Sequence, residues 1–166
     1  IHLGGWIRAI KEDVRQAFKL VPAIKHLNLS ISTSDQMIEH KFKGKLDYAS
    51  IIKEMAEAVK EARKFGAETI GVNAEDASRS RMEYLIEFGQ AAKAAGADRL
   101  SYCDTLGFDS AFSIYERIKR ITEEVQMPVE VHCHNDLGMV VANSVAGAMA
   151  VNDAGVDAYI NTCVNG

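Results

Sequence analysis

Two histidines stand at positions 132 and 134, near the end of the apolar run 129–136 (Val-Glu-Val-His-Cys-His-Asn-Asp) and just before a chain reversal at Asp136-Leu137-Gly138. In a strand the side chains alternate between faces, so His132 and His134 point one way while Val131 and Cys133 point the other. Two imidazoles roughly 7 Å apart at Cβ can converge on one divalent ion if a third ligand comes from a neighbouring strand. A metal site is therefore the first chemistry that the chain offers. Histidines on strands are often ordinary hydrogen-bonded residues, so the pair has to be weighed with the elements that position it.

Those elements repeat. Cys103, Cys133 and Cys163 fall at intervals of 30 residues, each in a short run rich in β-branched or aromatic residues and preceded by a helix-like segment. The runs 26–32 and 68–73 have the same character. Between them lie stripes of helical period: Ile51, Ile52, Met55, Val59 and Ala62, then Tyr84, Leu85, Phe88, Ala91, Ala92 and Ala95. Phe65-Gly66-Ala67, Ala95-Gly96-Ala97 and Ala154-Gly155-Val156 close three helices with a left-handed glycine, and Met127-Pro128 serves at the fourth join. Strand, helix, glycine, strand at about 30 residues per unit predicts an α/β fold with a parallel sheet. Five such units are visible, with a further strand ending near Trp6-Ile7-Arg8 and a helix from Lys11 to about Leu20.

An open doubly wound sheet and a closed (β/α)8 barrel both fit this count. The barrel is favoured by the polar residues, which cluster at the C-terminal end of one strand after another: Ser32 to Asp35, Asn73 to Asp76, Asp104-Thr105, His132 to Asp136 and Asn161 to Asn165. A barrel gathers those ends around one mouth, whereas an open sheet spreads them along a line. Neither a G-x-G-x-x-G nor a G-x-x-x-x-G-K-[ST] phosphate loop is present.

Composition excludes several classes. A net charge of −4, with 48% hydrophobic and 25% charged residues, argues for a soluble globular domain and against nucleic-acid binding. No run approaches the roughly 18 apolar residues of a membrane span, no signal peptide opens the sequence, and the chain is expected to be cytoplasmic. The odd number of cysteines, inside apolar runs, suggests reduced thiols in the core. Met139 to Val141 and Met149 read as helix packing.

At this point the motifs resemble a family. His132-Cys-His-Asn-Asp-Leu-Gly138 with Ala142-Asn143 resembles the H-x-H-N-D-x-G…A-N signature of metal-dependent acyltransferases and lyases built on a TIM barrel: homocitrate synthase, isopropylmalate synthase, citramalate synthase and, more distantly, 3-hydroxy-3-methylglutaryl-CoA lyase. Ala74-Glu-Asp-Ala-Ser-Arg79 resembles the A-E-D-[AT]-x-R of homocitrate synthases, especially the nitrogenase-associated type. Ser30 to Asp35 with His40-Lys41, and Cys103-Asp-Thr-Leu-Gly107, are similar to further motifs of the group.

The resemblance implies a Claisen condensation of acetyl-CoA with a 2-oxo acid, with 2-oxoglutarate to homocitrate favoured and 2-oxoisovalerate to 2-isopropylmalate next. It implies a divalent metal ion (Mg, Mn or Zn) on His132 and His134, with Asn135, Asp136 and Asn143 supporting the metal loop. It makes Glu75 the catalytic carboxylate that faces the substrate, and Arg8, Asn73 and Thr105 substrate-binding residues. Asp76 reads as a helix cap, Asp104 as a cap or loop-ordering residue, and Glu130 either as a partner of the histidines or as a salt-bridged glutamate. Gly71 and Trp6 depart from the arginine and histidine of lysine-pathway homocitrate synthases. The alternatives are a retro-Claisen or aldol lyase on the same site, or a non-catalytic piece of a split enzyme. Nothing like the family's D-[ST]-x-R-[DE]-G or G-x-G-E-R-x-G-N occurs, so residues 1–166 are expected to be a partial barrel covering roughly strands three to seven, lacking the first two and the last. The complete protein is expected to be a homodimer.

Overall fold

A computed structural model describes residues 3–163. Six strands form one parallel sheet: β1 (Gly4–Arg8), β2 (His26–Ser32), β3 (Thr69–Glu75), β4 (Arg99–Asp104), β5 (Val129–Cys133) and β6 (Ala158–Ile160). Six α-helices connect or flank them: α1 (Lys11–Leu20), α2 (Asp35–His40), α3 (Tyr48–Lys64), α4 (Met82–Ala95), α5 (Ala111–Val125) and α6 (Val140–Asp153). The segment at Trp6–Arg8 is thus a full member of the sheet, giving six strands where the sequence shows five complete units. Six consecutive strands are two short of the eight that close a barrel.

The strands lie in sequence order from β1 to β6. A doubly wound sheet reverses its order at a switch point, whereas a barrel does not. Curvature follows from side chains that meet across the sheet. Asn28 on β2 donates to Glu130 on β5 at 3.4 Å, although a flat sheet would separate those strands by roughly 14 Å at ordinary strand spacing. The sheet therefore curls, and the fold is a segment of a (β/α)8 barrel.

Period-two alternation sorts the residues. Leu27, Leu29, Ile70, Val72, Leu100, Tyr102, Val129 and Val131 point outward and are buried against Ile51, Met55, Leu85, Phe88, Ile114 and Ile118 of the helices. Each such side chain contributes about 1.5–3 kcal/mol when fully buried. The other parity puts Asn28, Ser30, Asn73, Glu75, Ser101, Cys103, Glu130 and His132 on the inner face. Both predicted helical stripes are buried or half-buried, and Gly66, Gly96 and Gly155 take positive φ as expected. At the fourth join Gln126 supplies the left-handed residue (φ 52°), its backbone N–H bonded to Thr122, ahead of Pro128.

Two packing expectations are corrected, for the outer face of α6 and for Cys163. Val141 and Met149 are 73% and 54% exposed, because they lie on the side of α6 away from α5 and β5. Cys163 is exposed, whereas Cys103 and Cys133 are buried free thiols. No helix among the described residues is long and apolar enough to cross a membrane.

Candidate active site at the strand ends

The C-terminal ends of the strands enclose a cleft of about 370 Å³ that collects Asn73 and Glu75 from β3, Cys103 from β4 and Thr105 just after it, His132 from β5 and His134 just after it, and Asn161 beyond β6. Trp6 and Ser30 line it from β1 and β2, and Cys163 from beyond β6. Four predicted site strands thus converge on one space. The Asn165 named with Asn161 lies outside the described residues.

His132 and His134 meet edge to face, ring centroids 5.0 Å apart. His132 Nδ1 lies 3.2 Å from the backbone carbonyl of Asn161. A carbonyl can only accept, so Nδ1 carries the proton in this contact and a neutral ring keeps the Nε2 lone pair free. That donor set suits a divalent ion, for which His132 and His134 are candidate ligands. No group of three or more metal-binding side chains gathers among the described residues.

Glu75 is held by Lys41, whose Nζ stands 2.9 Å from each carboxylate oxygen and 2.9 Å from Ser32 Oγ. Its neighbour Asp76 departs from the capping expectation: it sits in the left-handed region (φ 65°) and its side chain caps no helix. The Asp76 carboxylate is fully buried and bonds Arg79 (2.5–3.1 Å) and Ser34 instead. The backbone N–H of Asp76 donates to Thr105 Oγ1 at 2.9 Å, tying the β3 and β4 ends together. The Thr105 hydroxyl proton remains available to a ligand.

Asn73 is 4% exposed, and its Oδ1 has no hydrogen-bond partner among the described residues. Arg8 is placed differently from the other expected substrate-binding residues. Its guanidinium grips Asp13 at 2.6 and 2.8 Å and lines an adjoining cleft of about 820 Å³ with Lys41, Lys43 and Lys45. The carboxylate that Arg8 meets is therefore within its own chain.

The loops are fixed by hydrogen bonds to side-chain and backbone oxygens. Asp104 orders its own loop, accepting the N–H groups of Phe108 and Asp109, and its carbonyl accepts from His134 N at 3.2 Å. Gly107, at φ +58°, packs against the histidine loop so closely that a Cβ would lie 2.9 Å from the His134 carbonyl oxygen and 3.0 Å from Asp136 N. Asn135 accepts from the N–H of Val140 at the start of α6, and Asp136 is exposed in the turn. Asn143 bonds not to the histidine loop but to the carbonyl of Asp109, at 2.7 Å. It thus braces the loop after β4, which in turn abuts the histidines.

Beneath the cleft Glu130 is buried and salt-bridged. It accepts from Arg99 Nε (2.7 Å), Asn161 Nδ2 (2.9 Å), Ser101 Oγ (3.1 Å) and Asn28, with no bond to either histidine. Arg99 Nη2 also donates to Asn28 Oδ1 at 2.6 Å. Arg99 and Asn28 escaped sequence reasoning, although counting back by twos from Thr105 through Cys103 and Ser101 places Arg99 on the inner face. Burial pushes the Cys103 thiol up to about 12, so by itself it stays neutral near neutral pH.

Comparison with known proteins matches this arrangement to one family. Residues 2–166 fit the HMGL-like family model. The chain is 58% identical over 166 residues to a citrate (Re)-synthase of Dehalococcoides mccartyi (strain CBDB1), covering all of this chain and 40% of that protein. It is 46% identical over 145 residues to 2-isopropylmalate synthase 2 of Caldanaerobacter subterraneus subsp. tengcongensis, covering 87% of this chain and 36% of the relative. Among solved structures, hydroxymethylglutaryl-CoA lyase from Pseudomonas aeruginosa superposes with a TM-score of 0.77 over 95% of this chain and 52% of that one. At 13% identity that likeness speaks for the fold alone.

Proposed function

The chain belongs to the HMGL-like family, and from that premise we propose that it forms the substrate-facing part of a Claisen-type acyltransferase. The reaction joins the methyl carbon of acetyl-CoA to the keto carbon of a 2-oxo acid; water then releases free CoA and a 2-hydroxy acid with one more carboxylate than the 2-oxo acid. The observation that carries this reading is the convergence of His132 and His134 with Asn73, Glu75 and Thr105 on one cleft.

A divalent ion (Mg, Mn or Zn) held by His132 and His134 would supply Lewis-acid polarisation of the keto carbonyl. Thr105, its oxygen already accepting from Asp76, donates its hydroxyl proton to the substrate carboxylate. Glu75 takes the methyl proton of the acetyl group, and Lys41 keeps its carboxylate aimed at the cleft. Asn73 offers its unpartnered Oδ1 to a substrate donor. Arg8, paired with Asp13, contributes through the rim of the adjoining cleft rather than as a primary anchor.

We read the acid as a 2-oxo dicarboxylate. Oxaloacetate comes first, because the citrate (Re)-synthase relative matches over the whole chain. The homocitrate reaction favoured by the motifs comes second, and 2-isopropylmalate synthesis third. The chain spans about 40% of that relative's length, so the remaining strands and metal ligands would come from outside residues 1–166. The same reading makes the complete protein a cytoplasmic homodimer acting on small molecules.

The test is thiol release from acetyl-CoA by the full-length protein with oxaloacetate, 2-oxoglutarate, 2-oxoisovalerate and pyruvate in turn. The expected result is release with oxaloacetate exceeding the others. No acid-dependent release with any of the four would overturn the reading.

A further inference from the structure

We propose that Asn161 and Glu130 are positioning residues that fix the tautomer and orientation of the His132 ring; the inference rests on His132 being a metal ligand. Asn161 follows β6, which has three residues and, among the described residues, pairs only with β5. A strand that short leaves the carbonyl of the next residue weakly held. Asn161 is nevertheless fixed at three points. Its backbone N–H donates to the Val131 carbonyl at 3.0 Å, its side-chain amide donates to Glu130 Oε1 at 2.9 Å, and its carbonyl lies 3.2 Å from His132 Nδ1.

Glu130 can anchor Asn161 because its own carboxylate is immobilised. It is 6% exposed and opposed by Arg99 at 2.7 Å. On its other side Arg99 reaches across β3 to Asn28, over Gly71, where a Cβ would fall 2.3 Å from Asn28 Oδ1 and 3.1 Å from Arg99 Nε. Gly71, Arg99, Glu130 and Asn161 thus form one chain of contacts ending at the imidazole. Its product is a ring with the proton on Nδ1 and the Nε2 lone pair free. Outer partners that orient a ligating histidine are typically worth about 10–100-fold in metal affinity.

The experiment uses the metal-free, full-length protein with ¹⁵N-labelled histidine, the His132 ring signals being assigned by their loss in His132→Ala, followed by Mn²⁺ titration. Asn161→Ala keeps the backbone carbonyl but removes its tether. Ser101→Ala removes a different bond to Glu130 and leaves the tether intact. Wild type and Ser101→Ala are expected to show the Nδ1–H tautomer and equal Mn²⁺ affinity. Asn161→Ala is expected to show mixed tautomers and affinity lowered about 10–100-fold. If the alanine variant does not fold, Asn161→Asp, of the same shape but with a carboxylate set against Glu130, is read by the same criteria. Wild-type tautomer and affinity in the Asn161 variant, or equal losses in the Ser101 and Asn161 variants, would overturn the proposal. A wild-type protein that releases no thiol would sink the enzymatic reading, while the tautomer measurement still decides this one.

Discussion

Lys41 places one ammonium 2.9 Å from both carboxylate oxygens of Glu75 and, with the same nitrogen, 2.9 Å from Ser32 Oγ, so the end of β3 is tied to the end of β2 through a side chain from beyond α2. If Glu75 moves the acetyl proton, Glu75→Gln keeps the shape and loses the base. General-base loss typically costs about 10²–10⁴-fold. We expect kcat for thiol release to fall by that order with little change in melting temperature. Lys41→Met should lower kcat by a smaller factor, about 10-fold, because the carboxylate survives but loses its orientation. Turnover in Glu75→Gln within a factor of three of wild type would rule out the assignment.

His132→Ala and His134→Ala each delete one candidate ligand from a cleft whose other walls are held by separate loops. Both should bind Mn²⁺ or Zn²⁺ far more weakly and lose thiol release, while the far-ultraviolet circular dichroism stays native. Metal content and activity both retained in either variant would remove the pair from the site.

Much of this was legible in the sequence for a definite reason. Period-two alternation around His132 and His134, and the recurrence of polar residues after each apolar run, are local signals, and they located β2 to β6 and most of the cleft. What stayed hidden depends on long-range partners. Asp76 starts a helical turn, as a cap would, but Arg79 and Ser34 take its carboxylate. Asn143 sits in the family motif, yet its partner is the Asp109 carbonyl. The Arg99 to Asn28 contact spans 71 positions, a separation that no local pattern encodes. The apolar Val141 and Met149 look like core by composition, and only the placement of α6 shows them exposed.

Gly107 joins the two motifs that face each other across the β4 and β5 ends. Gly107→Ala adds a Cβ at positive φ within 3.0 Å of the His134 and Asp136 backbone, which cannot yield as a flexible side chain can. The expected cost is about 1–3 kcal/mol in stability, seen as a lower melting temperature. Mn²⁺ affinity should fall with it, because the displaced backbone is that of the histidine loop. A variant as stable as wild type would show that the loops separate more readily than their packing indicates.

Burial raises two thiols, Cys103 to about 12 and Cys133 to about 11. The sign follows from proton counts. Above about pH 9 the unfolded chain loses these protons while the folded chain keeps them, so stability is present below that pH and declines as pH rises toward the folded values. The melting temperature should therefore drop between about pH 9 and 11, and Cys103→Ala should flatten that part of the curve. An unchanged slope in the variant would assign the alkaline loss to other groups.

The last prediction concerns a polypeptide of residues 1–166 by itself. Its outer strands β1 and β6 each have one neighbour among the described residues, leaving a row of backbone N–H and C=O groups on either edge. Trp6 on the inner face is 63% exposed and Tyr159 48%, and on α6 Val141, Val145 and Met149 form an apolar stripe at least half exposed. Open edges beside apolar faces promote pairing between copies, and a curled sheet two strands short of closure cannot satisfy them internally. We expect this polypeptide to self-associate or to melt without a cooperative transition, and to bind Mn²⁺ only weakly through two imidazoles. Light scattering and a thermal melt are the measurements. A monodisperse monomer with a sharp transition would mean that the six-stranded segment is a self-sufficient unit, and that the curl seen between Asn28 and Glu130 needs no further strands to hold it.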